Sequence, residues 1–146
     1  AGFGNISAVE TPFICGISPF QPVASIEDLH RVVAIGAALI RTNARLGPQR
    51  TTGQPRQRLH QWVLPSARRR CLICGTPLTR IAAGSSPWNR RLAMCKTCQP
   101  LQDESRVDLD RVRSLLRTHP AMKVLNLQEG NLTVPTDLPV AVRPRR

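Results

Sequence analysis

A chain of 146 residues has room for one ordinary domain or two very small ones. It carries 21 basic against 9 acidic side chains, a formal charge of +12, and 19 of the basic residues are arginine. That balance favours a polyanionic partner, because arginine's planar fork suits phosphate and guanine, although a GC-rich coding sequence would also favour arginine over lysine.

The charge is concentrated in residues 1–100 (net +10, against +2 in residues 101–146), so the polyanion belongs to the first hundred residues. No apolar run approaches the ~20 residues of a membrane span, and the start, Ala1 to Glu10, has neither the basic flank nor the apolar core of a signal peptide. The expectation is a soluble, cytoplasmic, nucleoid-associated protein with no membrane partner. The chain opens without Met, as a processed protein or a piece of a longer one would.

In chain order, Gly2-Phe3-Gly4-Asn5 precedes a short helical pattern at Ile6, Val9, Phe13 and Ile14, closed by Gly16 and Pro19. Glycines before a helix N-terminus leave backbone N–H groups open to an anion, which the helix dipole also attracts. Pro12 should kink this helix, since it removes a hydrogen bond. Cys15 reads as a small buried hydrophobe.

Ser25 and Asp28 mark the start of a longer helix. Ile26, Leu29, Val33, Gly36 and Ile40 form its apolar stripe, widened by Val32 and Leu39, with Arg31, Arg41 and Arg45 off the stripe. Leu46-Gly47-Pro48 ends it.

The cysteines of the next segment read Cys71-x-x-Cys74, then twenty residues, then Cys95-x-x-Cys98. Two such knuckles present four thiolates, the tetrahedral set that holds one structural Zn²⁺ with no open position. Arg68, Arg69, Arg70 and Lys96 stand near enough in sequence to offset the thiolate charge. Paired disulfides or a redox motif are the competing readings; a cytosolic chain disfavours the first, and the second lacks its βαβ context. Between the knuckles, Leu78 and Ile81, a turn at Gly84-Ser85-Ser86-Pro87, and Leu92 with Met94 predict a β-hairpin. Arg90 and Arg91 then sit near its tip, able to meet a phosphate or to be a solvated pair.

Beyond residue 100, Leu109, Val112 and Leu116 predict one amphipathic helix ending before Pro120. Lys123 to Leu127 and Leu132 to Val134 flank Glu129-Gly130-Asn131 as a second hairpin. Arg143-Pro144-Arg145-Arg146 is expected to be disordered.

Taken in order, Gly2-Phe3-Gly4-Asn5, Glu10, Gly16 and Pro19, the long helix, Thr51-Thr52-Gly53, Trp62-Val63, and Cys71 to Pro77 through Cys95 to Gln99 resemble one known family. It is the C-terminal half of the formamidopyrimidine-DNA glycosylase / endonuclease VIII (Fpg/Nei) family of base-excision-repair enzymes, the endonuclease VIII-like branch above all. The resemblance spans roughly residues 1–99. Ser7 and Met94 stand where members often carry an aromatic residue.

The resemblance implies an α+β chain. A helix–two-turns–helix module occupies residues 1–64 and a zinc-bound β-hairpin finger residues 65–100. A short extra tail follows at residues 101–146, as an accessory element, a docking segment or read-through. The implied function is zinc-dependent binding of duplex DNA, damaged DNA in particular. Gly4 and Asn5 of the first motif, and Arg90 with its neighbour Arg91 on the finger, are the implied backbone contacts. Family enzymes are glycosylase/AP lyases that use an N-terminal proline amine and an adjacent glutamate on a preceding β-rich domain. Neither group is found here, Lys96 lies inside a zinc knuckle, Lys123 lies in the tail with no recognisable partner, and no catalytic residue or small-molecule cofactor is assigned. The chain by itself is expected to bind DNA without cutting it. A zinc-ribbon module for RNA, or for an acidic protein partner, is the alternative; the chain has no Tyr, only three Phe and two Trp, so single-strand base stacking is disfavoured.

Overall fold

The computed structural model describes residues 4–46, 49–54, 60–64, 69–82 and 91–125. Among them are three α-helices, α1 (Asn5–Cys15), α2 (Leu29–Leu46) and α3 (Leu109–Leu116), and a hairpin of β1 (Thr79–Ala82) and β2 (Arg91–Met94). The class is α+β. α1 is the hub, since α2, α3 and β2 all pack on it.

α1 buries Val9, Phe13, Ile14 and Cys15. Its sequence closes it sharply: Gly16 takes φ +76°, and the N–H groups of Gly16 and Ile17 return to the carbonyls of Phe13 and Pro12. That is a Schellman ending, which needs the left-handed backbone that glycine adopts without strain. Pro12 lies inside the helix, which runs through it to Cys15.

α2 departs from the periodicity reading in two ways. Ser25 does not cap it: Val23–Ser25 form a 3₁₀ turn, the Ser25 hydroxyl donates to the Pro22 carbonyl, and the helix begins at Leu29. Its buried face is Ala34, Ile35, Ala38, Leu39 and Thr42, while Leu29 and Val33 are exposed. The run Val32 to Ile40 is apolar nearly all round, so spacing alone left the rotation of the helix open. Arg31 is half-buried and pairs with Asp28 at 3.5 Å.

The hairpin pairs Thr79 with Met94, Arg80 with Ala93, Ile81 with Leu92 and Ala82 with Arg91, antiparallel. Arg80 and Arg91 therefore share the pleat face of Ala93, which is buried in the core.

Residues 101–125 are built into the same core. Ser105 pairs in parallel with Ile26, exchanging bonds with Ser25 and Glu27. The Val107 N–H donates to Asp28 Oδ1 at 2.9 Å. α3 begins where its spacing placed it: Asp108 accepts the Arg111 N–H at its start, and Val112, Leu115 and Leu116 are buried. Pro120–Lys123 wind into a 3₁₀ turn, where the start of a strand was expected at Lys123; the remainder of that second hairpin and residues 143–146 lie outside the described residues. No described helix is long and apolar enough to cross a membrane.

Candidate metal centre and nucleic-acid interface

The first knuckle is built by local hydrogen bonding. The Cys71 N–H donates to the Thr76 carbonyl, the Gly75 N–H returns to the Cys71 carbonyl, and Arg70 pairs with Pro77 just outside the loop. The Ile73 N–H points at Cys71 Sγ, 3.4 Å away. In the second knuckle the Gln99 N–H donates to the Cys95 carbonyl. The hairpin brings the knuckles together. Cys71 Sγ lies 3.8 Å from Cys98 Sγ, Cys74 Sγ lies 3.4 Å from Cys95 Sγ, and all four sulfurs fall within 4.8 Å of one another. Four sulfurs so placed can hold one metal ion. Cys15 is buried beside α3, apart from this cluster, and burial pushes its thiol up, as an inert core cysteine requires.

The thiols differ in how readily they ionise. Hydrogen bonding by Thr76, through side chain and backbone, brings Cys74 down to about 6. Its hydroxyl lies 3.2 Å from Cys74 Sγ and accepts from the Thr97 hydroxyl at 3.2 Å. Burial pushes Cys98 up to about 12 and raises Cys95 as well. A cation at the centre would reverse the burial penalty on both. Of the basic residues expected to offset the thiolates, Arg70 donates to the Gly75 carbonyl at 3.1 Å and Lys96 is exposed, while Arg68 lies outside the described residues.

Two side chains quoted only as parts of a motif prove to tie distant segments to α1. Gln99 is buried; its Oε1 accepts the Cys95 N–H at 3.1 Å and its Nε2 donates to the Ile17 carbonyl at 2.9 Å. It fastens the second knuckle to the end of α1. Glu10 is fully buried and accepts four bonds, from the Thr51 hydroxyl and the N–H groups of Trp62, Val63 and Leu64. Burial raises its carboxyl above the ordinary range, and the four donors work against that. Trp62 then stacks on Phe13, ring centres 6.2 Å apart. The sequence signal was a lone Glu in an otherwise apolar helical stripe, whose partners stand some fifty residues away.

The expected anion contacts divide as follows. Gly4 is exposed at the N-terminus of α1, with no side-chain cap and no acidic residue in the first turn. Asn5 Nδ2 lies 3.4 Å from the Arg91 carbonyl, so the start of α1 abuts the start of β2 across 86 residues of sequence. Asn5, Gly4 and the exposed Arg91 are thereby brought together. Arg90 lies outside the described residues.

No protein-family model matches the chain. Curated relatives do. A probable endonuclease 8 2 of Streptomyces coelicolor is 33% identical over 101 residues, 68% of this chain and 36% of that protein. Endonuclease 8 2 of Mycobacterium tuberculosis is 30% identical over 99 residues, 68% of this chain and 37% of that protein. The DNA-(apurinic or apyrimidinic site) lyase Nei2 of Mycolicibacterium smegmatis is 31% identical over 99 residues, 68% of this chain and 38% of that protein. The chain is a partial Fpg/Nei-like protein. It spans little more than a third of the length of the curated relatives it matches, and the matched part of this Fpg/Nei-like chain amounts to about two thirds of its own length.

Proposed function

We propose that this Fpg/Nei-like chain binds duplex DNA, damaged duplex in particular, through the joint surface of α1 and a zinc-stapled hairpin. The observation that carries the reading is the Asn5–Arg91 contact, which sets an uncapped helix N-terminus beside an exposed arginine. Open N–H groups and a guanidinium both favour phosphate. Gly4 supports it further: its φ of −74° suits any residue and a Cβ there would meet nothing within 4 Å, so neither strain nor crowding at this position calls for glycine. An approaching strand would find bare backbone. In this reading α1 and α2, with the turns between them, form the helix–two-turns–helix module at residues 1–64, and Arg90 acts beside Arg91 in the finger at residues 65–100.

Zn²⁺ is the metal the donor set suits. Zn–S bonds of about 2.3 Å in a tetrahedron put sulfurs about 3.8 Å apart, close to the 3.4 and 3.8 Å separations of the two sulfur pairs. All four donors are protein sulfurs, so the ion fixes the hairpin and activates no water. The relatives' names include an abasic-site lyase, and abasic-site duplex is the substrate class to try first.

The test is fluorescence anisotropy with abasic-site duplex, plain duplex and hairpin RNA at fixed salt. Asn5→Ala and Arg91→Ala should each weaken duplex binding, and Arg91→Ala should also reduce the salt slope by about one. Unchanged binding in both variants removes the reading. Borohydride trapping on abasic-site DNA should yield no adduct with this chain alone, since neither Lys96, in the second cysteine knuckle, nor Lys123 is set up as an amine nucleophile.

A further inference from the structure

A second basic site lies away from Asn5. A groove of ≈720 Å³ runs between the second cysteine knuckle, the start of α2 and the start of α3; Arg31, Arg106, Arg111 and Arg113 line it with Asp108 and Asp110. Its volume is within the range of about 300–1,000 Å³ typical of ligand sites. We infer that this groove binds a phosphate group, using Arg106 and Arg111 as its principal donors.

Its four arginines still outnumber the carboxylates that face them, Asp108, Asp110 and the Asp28 paired with Arg31. Asp110 is paired with Arg113 at 2.8 Å, and Asp108 is occupied in accepting the Arg111 N–H, which also closes the N-terminus of α3 to outside anions. Arg111 is locked in place. Its Nε donates to the Phe13 carbonyl at 3.0 Å, its guanidinium lies 4.7 Å from the Phe13 ring centre, and Gly16 leaves room for its chain, since a Cβ there would come within 3.3 Å of it. Arg106 is exposed and makes no hydrogen bond or ion pair among the described residues. A guanidinium held at the groove wall, beside the exposed Arg106, suits an oxyanion with several acceptor oxygens. Charges placed only for solubility need no such fixing.

The phosphate can come from a nucleic-acid strand or from a free polyphosphate. The first source rests on the DNA-binding reading. The groove adjoins Gly16, at the far end of α1 from Asn5, and 11 helical residues span roughly 16 Å, about five phosphates of one strand.

The experiment compares the zinc-loaded full chain with Arg106→Ala, Arg106→Glu and Arg106→Lys, using tripolyphosphate in calorimetry and a 20-base-pair duplex in anisotropy across a salt series. Arg106 is exposed, so thermal midpoints should match. Loss of tripolyphosphate binding in the Ala and Glu variants, with most of it retained in Lys, supports the site. A duplex affinity about fivefold weaker in Arg106→Ala, with a salt slope smaller by about one, assigns it to a strand. An unchanged duplex affinity with lost tripolyphosphate binding assigns it to a free polyphosphate. Tripolyphosphate binding untouched in both Ala and Glu overturns the proposal, whether or not the chain binds duplex at all; Arg91→Ala, which lies outside the groove, reports on duplex binding separately.

Discussion

Glu10 and Gln99 each join segments that sequence separation keeps apart, and each does so with both ends of its side chain. Glu10→Gln puts an amide N–H₂ against N–H donors in a fully buried site. Leaving such groups unpaired costs about 1–3 kcal/mol each, and breaking a buried charged network about 3–5 kcal/mol in all. Urea unfolding should therefore show Glu10→Gln destabilised by several kcal/mol; a loss under 1 kcal/mol would mean the four bonds contribute little. Gln99→Leu keeps the volume but drops the bonds to Cys95 and Ile17. Groups behind metal ligands usually affect affinity by about 10–100-fold, so competition with a chromophoric chelator should find zinc held more weakly by that order in Gln99→Leu. Equal affinity would reduce Gln99 to a packing residue.

At the scale of elements, legibility followed the range of the interactions. The knuckles, the pairing of Thr79–Ala82 with Arg91–Met94 and α3 were readable because their determinants are local: C-x-x-C spacing, alternation, and apolar steps of three and four closed by a proline; the expected turn at Gly84-Ser85-Ser86-Pro87 lies outside the described residues. α2 was placed but rotated, because Val32 to Ile40 offers hydrophobes on every side and only packing against α1 selects Ile35, Ala38 and Leu39. The 3₁₀ turn at Pro120–Lys123 was missed because its cap is a histidine. His119 Nδ1 accepts the Ala121 N–H at 3.0 Å while Nε2–H donates to the Arg50 carbonyl at 2.8 Å, so the neutral ring satisfies both partners. Burial lowers its pKa and the Arg50 carbonyl partly offsets this. The folded state thus binds a proton less readily than the unfolded chain. Stability from this group is full above the ordinary histidine value, about 6.5, and falls as pH drops below it, by at most ~1.4 kcal/mol per pH unit. Thermal midpoints at pH 7.5 and 5.0 should separate more for the natural chain than for His119→Gln. Parallel pH profiles would show that the turn does not depend on the neutral imidazole.

Across the molecule, one hydrophobic cluster takes residues from all three sequence segments: Phe13 and Leu39, Cys71 and Cys95, Val112 and Leu116. The cysteine cluster and the tail therefore share a common core. Chelation should loosen the hairpin and, through Ala93 and Cys95, the packing of β2 on α1, lowering the thermal midpoint of the whole chain. The tail is the sharper case, because its sequence reads as an appendage past the end of the family resemblance. Val107, Val112, Leu115, Leu116 and Leu125 are each buried, and at about 1.5–3 kcal/mol apiece they contribute on the order of 10 kcal/mol. That is as large as the net stability of a typical domain, about 5–15 kcal/mol. Part of it is spent in ordering residues 101–125, yet removing them also strips Asp28 and Gln21 of their partners at Val107 and Gln102. A chain ending at Pro100 should thus lose cooperative unfolding and bind a hydrophobic dye, even with zinc supplied. One ending at Leu125 should melt within a few degrees of the full chain. If the shorter chain melts cooperatively at the same temperature, residues 101–125 rest on a core that is complete without them.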